Sequence, residues 1–341
     1  MSSPGKITAI DPANPPLAVI FGLRGRVLSD EQKAFLKDKN PLGFILFGNN
    51  AQNGQNGNIE DPAQLKALTQ SLHDTLGRNV PILIDQEGGR VARLKPPHWS
   101  AWPAAKLAGD IAKHDMAKAL SNTDAINRSI AVAIRDVGVN VNCAPCLDVA
   151  FPETHAIIGD RAFSDDPAIV GELGIAACKA YLAEGIIPVV KHVPGHGRAT
   201  ADSHLTLPVV NTDLQTLKNT DLAPYFAILR QKFAMAVWGM VSHVIYTDSD
   251  PKLPASCSPA VLGMIRKDLG FDGLLLSDDI VMNALGFLGD MGQRTTASLS
   301  AGCDIVLHCN GDMDEMKQVA NAAKGMTPDA IRRFNASIAL V

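Results

Sequence analysis

Short, nearly continuous apolar runs recur along the chain, separated by stretches with helical periodicity. The runs cover residues 17–23, 43–48, 80–85, 139–144, 186–192, 237–243, 273–278 and 303–309. Continuous rather than alternating hydrophobicity is typical of strands buried on both faces, as in parallel sheets. The pattern therefore predicts eight buried strands with helices between them.

Three of the intervening stretches carry clear helix boundaries. Each begins with an N-capping side chain followed by proline, and each has a glycine just past its end. These residues are Asp61, Pro62 and Gly77; Asp166, Pro167 and Gly185; and Ser258, Pro259 and Gly270. Eightfold alternation of strand and helix predicts an α/β fold, a single (β/α)8 TIM-like barrel over residues 1–341 without a second domain. A doubly wound open sheet is the alternative, although no G-x-G-x-x-G motif follows the first strand.

Composition and charge narrow the function classes. The chain has 341 residues, 46% hydrophobic and 19% charged, with a net charge of -4, which is a normal globular balance. No run of lysine and arginine is long enough for a nucleic-acid interface. The N-terminus lacks a signal-peptide core, and residues 17–23 are too few to span a bilayer. We therefore expect a cytoplasmic monomer that binds neither nucleic acid nor membrane.

Two of the six cysteines form the sequence CAPC, at residues 143–146. A thioredoxin-like redox site requires this motif at a helix N-terminus, where the thiol pKa is lowered. Here the motif lies where a strand runs into a loop, so we interpret Cys143 and Cys146 as buried or half-buried thiols. No second C-x-x-C pair is present to complete a zinc site.

Polar motifs follow five of the predicted strands where each strand ends. They are DQEGGRVAR after the third strand, LDV and GDRAF after the fourth, KHVPGHG after the fifth, SH after the sixth and SDD after the seventh. Active sites of (β/α)8 barrels lie at the carboxyl ends of the strands. Loop polarity accounts for part of this pattern, but the motifs together predict one shared site.

A carboxylate at the end of a buried strand can serve as a glycosidase nucleophile. Asp278 would be held rigidly there and could attack an anomeric carbon to form a glycosyl-enzyme. Its neighbour Asp279 should point the other way along the strand. The alternative is that the pair caps the next helix. Glu87 is the ordinary candidate for the second, proton-donating carboxyl group.

The sequence KHVPGHGRATADSH, residues 191–204, offers a different proton donor. In extended backbone Asp202 and His204 would lie on one side, so the carboxylate could orient an imidazole that protonates the leaving oxygen. The same stretch could instead form a zinc shell, although its spacing matches no H-E-x-x-H motif. The ligands would be His192, His196, His204 and Asp202. A metal-dependent hydrolase and a non-catalytic sugar-binding protein therefore remain alternatives.

Several of these motifs carry a family resemblance that extends from about residue 17 to residue 310. The segments that carry it include VPILIDQEGGRVARL, IGDRAF, VVKHVPGHGRATADSHLTLP and LGFDGLLLSDDIVMNAL, and the combination of KH-x-PGHG with the following DSH is highly specific. The chain resembles glycoside hydrolase family 3, and more narrowly its bacterial β-N-acetylglucosaminidases of peptidoglycan recycling. The β-glucosidases of that family lack the histidine-rich segment and carry their acid on a second domain.

The resemblance implies a role for each matching residue. It implies that Asp278 is the nucleophile, His204 the acid/base and Asp202 its partner. The residues that match N-acetylglucosamine-binding positions are Asp85, Arg93, Arg161, Lys191 and His192. The implied reaction is cytoplasmic cleavage of the β-1,4 bond between N-acetylglucosamine and 1,6-anhydro-N-acetylmuramic acid, with or without the stem peptide, and with no metal or other cofactor.

The chain departs from the family pattern in two places. CAPC replaces an apolar residue and valine, and an Asn/Gly-rich insertion at residues 49–58 lengthens one loop. We interpret the insertion as a mobile loop without a functional role. It leaves the leaving-group contacts on that side open.

Overall fold

The computed structural model describes residues 6–48 and 57–341, and ten strands lie in this part of the chain. They are β1 (Leu17–Gly22), β2 (Pro41–Leu46), β3 (Ile82–Ile84), β4 (Val141–Asn142), β5 (Ile187–Val193), β6 (Val209–Val210), β7 (Trp238–Val241), β8 (Ile245–Tyr246), β9 (Leu275–Asp279) and β10 (Ile305–His308). Eight of them close a parallel barrel in the order β1, β10, β9, β7, β5, β4, β3, β2. The predicted (β/α)8 barrel is confirmed, and each predicted run coincides with one barrel strand. The remaining pair, β6 and β8, was not predicted.

The described residues also contain eleven α-helices, most of them outside the barrel between successive strands. They are α1 (Asp30–Lys39), α2 (Pro62–Leu76), α3 (Ala105–Ala112), α4 (Met116–Arg135), α5 (Pro167–Ala183), α6 (Leu214–Asn219), α7 (Ala223–Leu229), α8 (Pro259–Lys267), α9 (Met291–Ala301), α10 (Met313–Ala322) and α11 (Pro328–Ile338). None of the helices in this part of the chain is both long and apolar enough to cross a membrane.

The three predicted helix starts are confirmed. Helices α2, α5 and α8 each begin at the predicted proline, after a residue whose side chain accepts a hydrogen bond from a backbone N–H of the first turn. Those acceptors are Asp61, Asp166 and Ser258. Each satisfies one of the N–H groups that a helix start leaves unpaired.

Strands β3 and β4 are shorter than predicted because two asparagine side chains replace part of the backbone hydrogen bonding between the two strands. Asn140 accepts a hydrogen bond from the N–H of Ile82 and donates one to the carbonyl of Val80. Asn142 bonds in the same way to both backbone groups of Gln86. These amides satisfy backbone groups that a longer strand would have paired, so the pairing stays short without leaving buried groups unsatisfied.

The alternation of side chains along the strands places the site at the carboxyl end of the barrel. The barrel interior is packed with apolar residues, which include Leu83, Val189 and Leu276. Side chains two positions apart share one face of a strand. The next positions facing the interior are therefore charged residues, which lie above the apolar filling. They are Asp85, Lys191 and Asp278.

Residues 49–56 of the Asn/Gly insertion lie outside the described residues, so the interpretation of a mobile loop stays a prediction. The end of the insertion is well packed. Asn58 is fully buried, accepts a hydrogen bond from the N–H of Phe47, and donates to the carbonyls of Leu23 and Gly25. Asn58 therefore ties the segment after the insertion to the loop after β1.

Candidate active site

Five charged side chains of alternating sign form a network across the top of the barrel. Lys191 Nζ lies 2.8 Å from an oxygen of Asp85 and 2.7 Å from one of Glu87. Arg93 contacts the other oxygen of Asp85 at 3.1 Å. Arg161 binds both oxygens of Glu87, at 2.8 and 2.9 Å. The predicted positions Asp85, Arg93, Arg161 and Lys191 are thus brought together, with Glu87 between two of the cations.

The network holds Glu87 and Lys191 in their charged forms. Burial opposes ionisation of Glu87, but the charges of Arg161 and Lys191 outweigh it and lower its pKa to about 2. Burial also disfavours the charged form of Lys191, whose side chain is 2% exposed, and so acts to lower its pKa. The charges of Asp85 and Glu87 outweigh burial and raise that pKa above its usual value. A carboxylate that is ionised at neutral pH cannot donate a proton. Glu87 is therefore a poor candidate for the general acid.

His192 is oriented by a buried carboxylate from the segment after β4. Asp148, which is fully buried, accepts a hydrogen bond from His192 Nδ1 at 2.6 Å and another from the backbone N–H of His192. Because a carboxylate only accepts, Nδ1 carries the proton, and Nε2 points toward Arg161 at 3.4 Å. The second ring nitrogen of His192 thus faces the charged network.

His196 is held below the loop surface. Its backbone N–H donates to the carboxylate of Asp148 at 2.6 Å. Its ring lies edge-on to the ring of His192, with the two ring centroids 5.6 Å apart. Burial, together with the charge of His192, lowers the pKa of His196 to about 4. This neutral ring helps to pack the histidine-rich segment rather than to catalyse proton transfer at neutral pH.

Asp278 lies at the end of β9, on the same rim of the barrel as the charged network. One oxygen accepts a hydrogen bond from the N–H of Asp279 at 2.8 Å. Burial opposes its ionisation, but His192 and the hydrogen bond from the N–H of Asp279 are among the influences that lower its pKa below the usual value. Asp278 is therefore ionised at neutral pH, as a nucleophile must be.

Asp279 points away from Asp278, as the strand pattern predicts. Its side chain accepts hydrogen bonds from the N–H groups of Val281 and Cys309, both at 3.1 Å. Burial raises its pKa to about 6. Only the first aspartate of the SDD motif therefore faces the barrel axis, and the second one anchors the end of the strand.

The predicted pair of Asp202 and His204 is present, but its backbone differs from the expectation. His204 Nδ1 lies 2.8 Å from an oxygen of Asp202, and the side chains are 60% and 18% exposed. The backbone is a turn rather than extended, since the N–H groups of Leu205 and Thr206 donate to the carbonyl of Asp202. A turn brings the two side chains together as well as a strand would, so the contact is correct and the proposed reason for it is wrong.

The loop that carries this pair is docked onto the segment after β9. The N–H groups of Asn283 and Ala284 donate to the carbonyls of His204 and Ser203, and the side chain of Asn283 donates to the carbonyl of Leu205 at 2.8 Å. These residues begin a short 3₁₀ helix, Asn283–Leu288, that follows β9. The imidazole of His204 is thereby held on the same rim of the barrel as Asp278.

Comparisons with known proteins agree with this geometry. Residues 17–338 match the family model described as the glycosyl hydrolase family 3 N terminal domain. A β-hexosaminidase of Bordetella avium is 35% identical over 296 residues, which are 87% of this chain and 81% of the relative. The chain belongs to glycosyl hydrolase family 3.

Solved structures of family 3 members share the fold. NagZ from Neisseria gonorrhoeae, in complex with N-trifluoroacetyl-D-glucosamine, superposes with a TM-score of 0.83 at 30% identity and covers 95% of this chain and 90% of its own. The same protein is also known in complex with a zinc ion. A β-N-acetylglucosaminidase from Paenibacillus superposes with a TM-score of 0.82 at 28% identity over 95% of this chain, which spans only 60% of that protein. The family and the glycoside hydrolase class predicted from the sequence are confirmed.

The family 3 barrel has one group of converging metal-type ligands in its described residues. It consists of Cys146, Asp148 and His192, whose ligand atoms lie within 4.8 Å of one another. These atoms are already hydrogen-bonded to one another. Cys146 Sγ donates to the carboxylate of Asp148 at 3.2 Å, and His192 Nδ1 donates to the same carboxylate at 2.6 Å. The alternative zinc shell of His192, His196, His204 and Asp202 is not brought together in this part of the chain.

The interpretation of Cys143 and Cys146 as buried thiols is confirmed. Both are free and buried, and burial raises the pKa of each thiol well above its usual value. A thiol that stays protonated is a poor nucleophile and a poor redox group. CAPC in this family 3 hydrolase therefore packs beneath the charged network.

Two residues of the site were not selected from the sequence. Asp148 organises His192 and His196, and His243 contacts the end of β9, the strand that carries Asp278. Both signals were visible in the motifs LDV and SH at the ends of the fourth and sixth predicted strands. Their roles depend on partners 36 to 48 residues away along the chain, which a local motif does not identify.

Proposed function

We propose that this family 3 hydrolase is a retaining exo-β-N-acetylglucosaminidase. Its substrate would be N-acetylglucosamine joined by a β-1,4 bond to (1,6-anhydro-)N-acetylmuramic acid, with or without a stem peptide, in cytoplasmic cell-wall recycling. The observation that carries the proposal is the ionised carboxylate of Asp278 on the same rim as the pair of Asp202 and the exposed His204. The β-hexosaminidase and β-N-acetylglucosaminidase names of the relatives support the substrate class.

The chemistry follows in two steps. Asp278 attacks the anomeric carbon while His204 protonates the leaving oxygen, and a covalent glycosyl-enzyme forms. His204 then takes a proton from water, which releases the sugar with its original configuration. Asp202 stabilises the imidazolium form of His204 in the first step because a carboxylate 2.8 Å away favours the positive charge. This division of roles needs only one carboxylate on the barrel rim to react.

The charged network serves as the binding site for the terminal sugar in this proposal. Asp85 can accept hydrogen bonds from ring hydroxyls, and Lys191, Arg93 and Arg161 can donate to them, with His192 beside Arg161. Because the ion pairs already fix these side chains, little conformational entropy is lost when the sugar binds. A fitted polar pocket of this kind discriminates strongly against substrates that leave its groups unpaired.

The proposal is tested with paired chromogenic substrates. The enzyme should hydrolyse an aryl β-N-acetylglucosaminide with an efficiency several powers of ten above that for the matching β-glucoside. Exhaustive treatment with EDTA should leave the rate unchanged, because carboxylate, imidazole and cationic groups cover every role. Equal efficiency on the glucoside would contradict the assigned sugar. Loss of activity with EDTA and recovery with zinc would favour a metal-dependent hydrolase instead.

The natural leaving group is tested separately. Release of N-acetylglucosamine from the anhydro-disaccharide should be measured with and without the stem peptide, against N,N′-diacetylchitobiose as a control of the same linkage. A preference for both muramic acid substrates over N,N′-diacetylchitobiose is expected. A preference for N,N′-diacetylchitobiose would keep the glycosidase and remove the cell-wall role.

A further inference from the structure

His243 lies directly across from the nucleophile strand and is fully buried. Strands β7 and β9 are parallel neighbours, and Val241 pairs with Ser277. Two residues further along each chain, His243 reaches the level of Asp279. Its Nε2 lies 3.0 Å from the carbonyl oxygen of Asp279, the residue after the nucleophile.

The hydrogen bonds of His243 define its tautomer. A carbonyl oxygen only accepts, so Nε2 carries the proton and donates it to Asp279. Nδ1 then lies 2.7 Å from Ser256 Oγ and accepts the hydroxyl proton. Burial favours this neutral form, because it lowers the pKa of the ring. His243 is therefore a fixed, uncharged donor aimed at the backbone rather than a counter-ion for Asp278.

The backbone that His243 holds is the one on which the Asp278 carboxylate rests. The N–H of Asp279 donates to that carboxylate at 2.8 Å. The side chain of Asp279 is anchored at two points, by Val281 and Cys309, and the bond from His243 fixes its carbonyl as a third. Without the hydrogen bond from His243, the backbone of Asp279 could rotate. The Asp278 carboxylate, which is bonded to the N–H of Asp279, would then move as well.

We propose that His243 is a positioning residue for the nucleophile, acting through the carbonyl of Asp279 with its tautomer set by Ser256. The inference deepens the proposed function and rests on Asp278 as the attacking group. Displacement of a reacting group by about 1 Å costs roughly 100-fold in rate. The effect of His243 should therefore appear in the rate of attack on the anomeric carbon and not in sugar affinity.

The test compares His243→Phe, which removes the donor, with His243→Gln, whose side-chain N–H can reach the same carbonyl. A dinitrophenyl β-N-acetylglucosaminide is the substrate, because its leaving group does not need protonation and so reports on the nucleophile. We expect His243→Phe to lower kcat by about 10- to 100-fold while KM changes by less than about threefold. Covalent labelling of Asp278 by a 2-fluoro glycoside should slow by the same factor.

The glutamine variant and the serine partner separate positioning from packing. His243→Gln should recover kcat to within about fivefold of the wild type. Ser256→Ala should give an intermediate loss, because the ring can then place its proton on Nδ1 instead. Thermal unfolding and binding of free N-acetylglucosamine serve as controls for each variant. If His243→Phe does not fold, His243→Gln and Ser256→Ala carry the test, with the fivefold limit and the intermediate loss as the expected results.

Three outcomes would overturn the inference. One is a folded His243→Phe enzyme with wild-type kcat and labelling rate. Another is an equal loss of kcat in folded Phe and Gln variants, since the restored donor would then have no effect. The third is a Ser256→Ala enzyme with wild-type kcat together with a His243→Gln enzyme that loses activity. This result would show that the tautomer of His243 is irrelevant. Failure of the proposed function is distinguished from all of these, because it would appear as a wild-type enzyme that is inactive on the substrate.

Discussion

One oxygen of Asp202 accepts two hydrogen bonds from His204, from ring Nδ1 at 2.8 Å and from the backbone N–H at 2.9 Å. Both bonds favour the carboxylate, and they lower the pKa of Asp202 although burial opposes its ionisation. The imidazole is consequently held by a charged partner on one nitrogen, while Nε2 remains for the leaving oxygen. This pair makes the role of His204 testable through the leaving group.

Replacement of His204 by alanine should affect poor leaving groups most. A sugar hydroxyl needs protonation, whereas dinitrophenolate departs as the anion, and general acid assistance is typically worth about 10²–10⁴ in rate. His204→Ala should lose activity by that factor on a disaccharide and much less in the glycosylation rate of a dinitrophenyl glycoside. Because deglycosylation also needs the base, the intermediate should accumulate, and azide should restore turnover.

Asp202→Asn should give a milder form of the same behaviour. The imidazole stays in place but loses the negative charge that stabilises its protonated form. The ratio of rates on the two substrates, measured for both variants, checks this ordering. Equal losses on both substrates without azide rescue would make His204 a structural or binding residue.

Asp278→Ala should abolish turnover on every substrate while the fold and sugar binding persist. The side chain stands above the apolar filling of the barrel and has no ion-pair partner among the described residues, so its removal leaves no buried cation unpaired. A slow 2-deoxy-2-fluoro glycoside should label Asp278 in the wild-type enzyme, and mass spectrometry of the digested protein locates the label. A label on another residue would remove Asp278 from the role of nucleophile.

Glu87→Gln is the matched control for a binding rather than an acid role. The negative charge of Glu87 compensates Arg161 and Lys191. The neutral amide of the variant should therefore lower activity by the same factor on the disaccharide and on the dinitrophenyl glycoside. Loss of one partner of a buried ion pair typically costs about 3–5 kcal/mol. A selective loss on the disaccharide would instead return Glu87 to the role of proton donor.

The same substitution has a predictable pH dependence. The pKa of Glu87 falls from 4.5 to about 2 on folding, so the folded state favours the ionised form. The stability that Glu87 contributes should be complete above about pH 4.5 and disappear as the pH falls toward 2. Urea unfolding of both proteins across this range should therefore show a stability difference that narrows on acidification. A constant difference would contradict the assigned cause.

Asp279→Asn should stabilise the protein at neutral pH. Burial raises the pKa of Asp279 from 3.8 to about 6, so the folded state binds its proton more tightly than the unfolded state. This group therefore lowers stability as the pH rises from about 4 to 6, by up to about 3 kcal/mol. Asparagine keeps an oxygen for Val281 and Cys309 but carries no charge. Thermal unfolding should show a gain above pH 6 that vanishes near pH 4, and a loss at pH 7 would contradict the prediction.

Local patterns in the sequence determined much of this fold. Continuous apolar runs predicted all eight barrel strands, and the proline-bearing boundaries predicted the starts of α2, α5 and α8. The polar motifs also predicted one shared site, because the closure of a parallel barrel brings every carboxyl end to one rim. These inferences succeed because strand burial, capping and strand direction depend on residues close together in the chain.

The tertiary structure alone decided which polar groups pair with one another. In the sequence, Glu87 is as suitable for proton donation as any other carboxyl group. In the structure, Arg161, 74 residues away, donates to both of its oxygens. Asp148 and His243 acquire their roles from His192 and from the carbonyl of Asp279. A pKa and a tautomer depend on burial and on distances of about 3 Å to distant residues. Strand register and side-chain packing set those distances, and no local pattern in the chain encodes them.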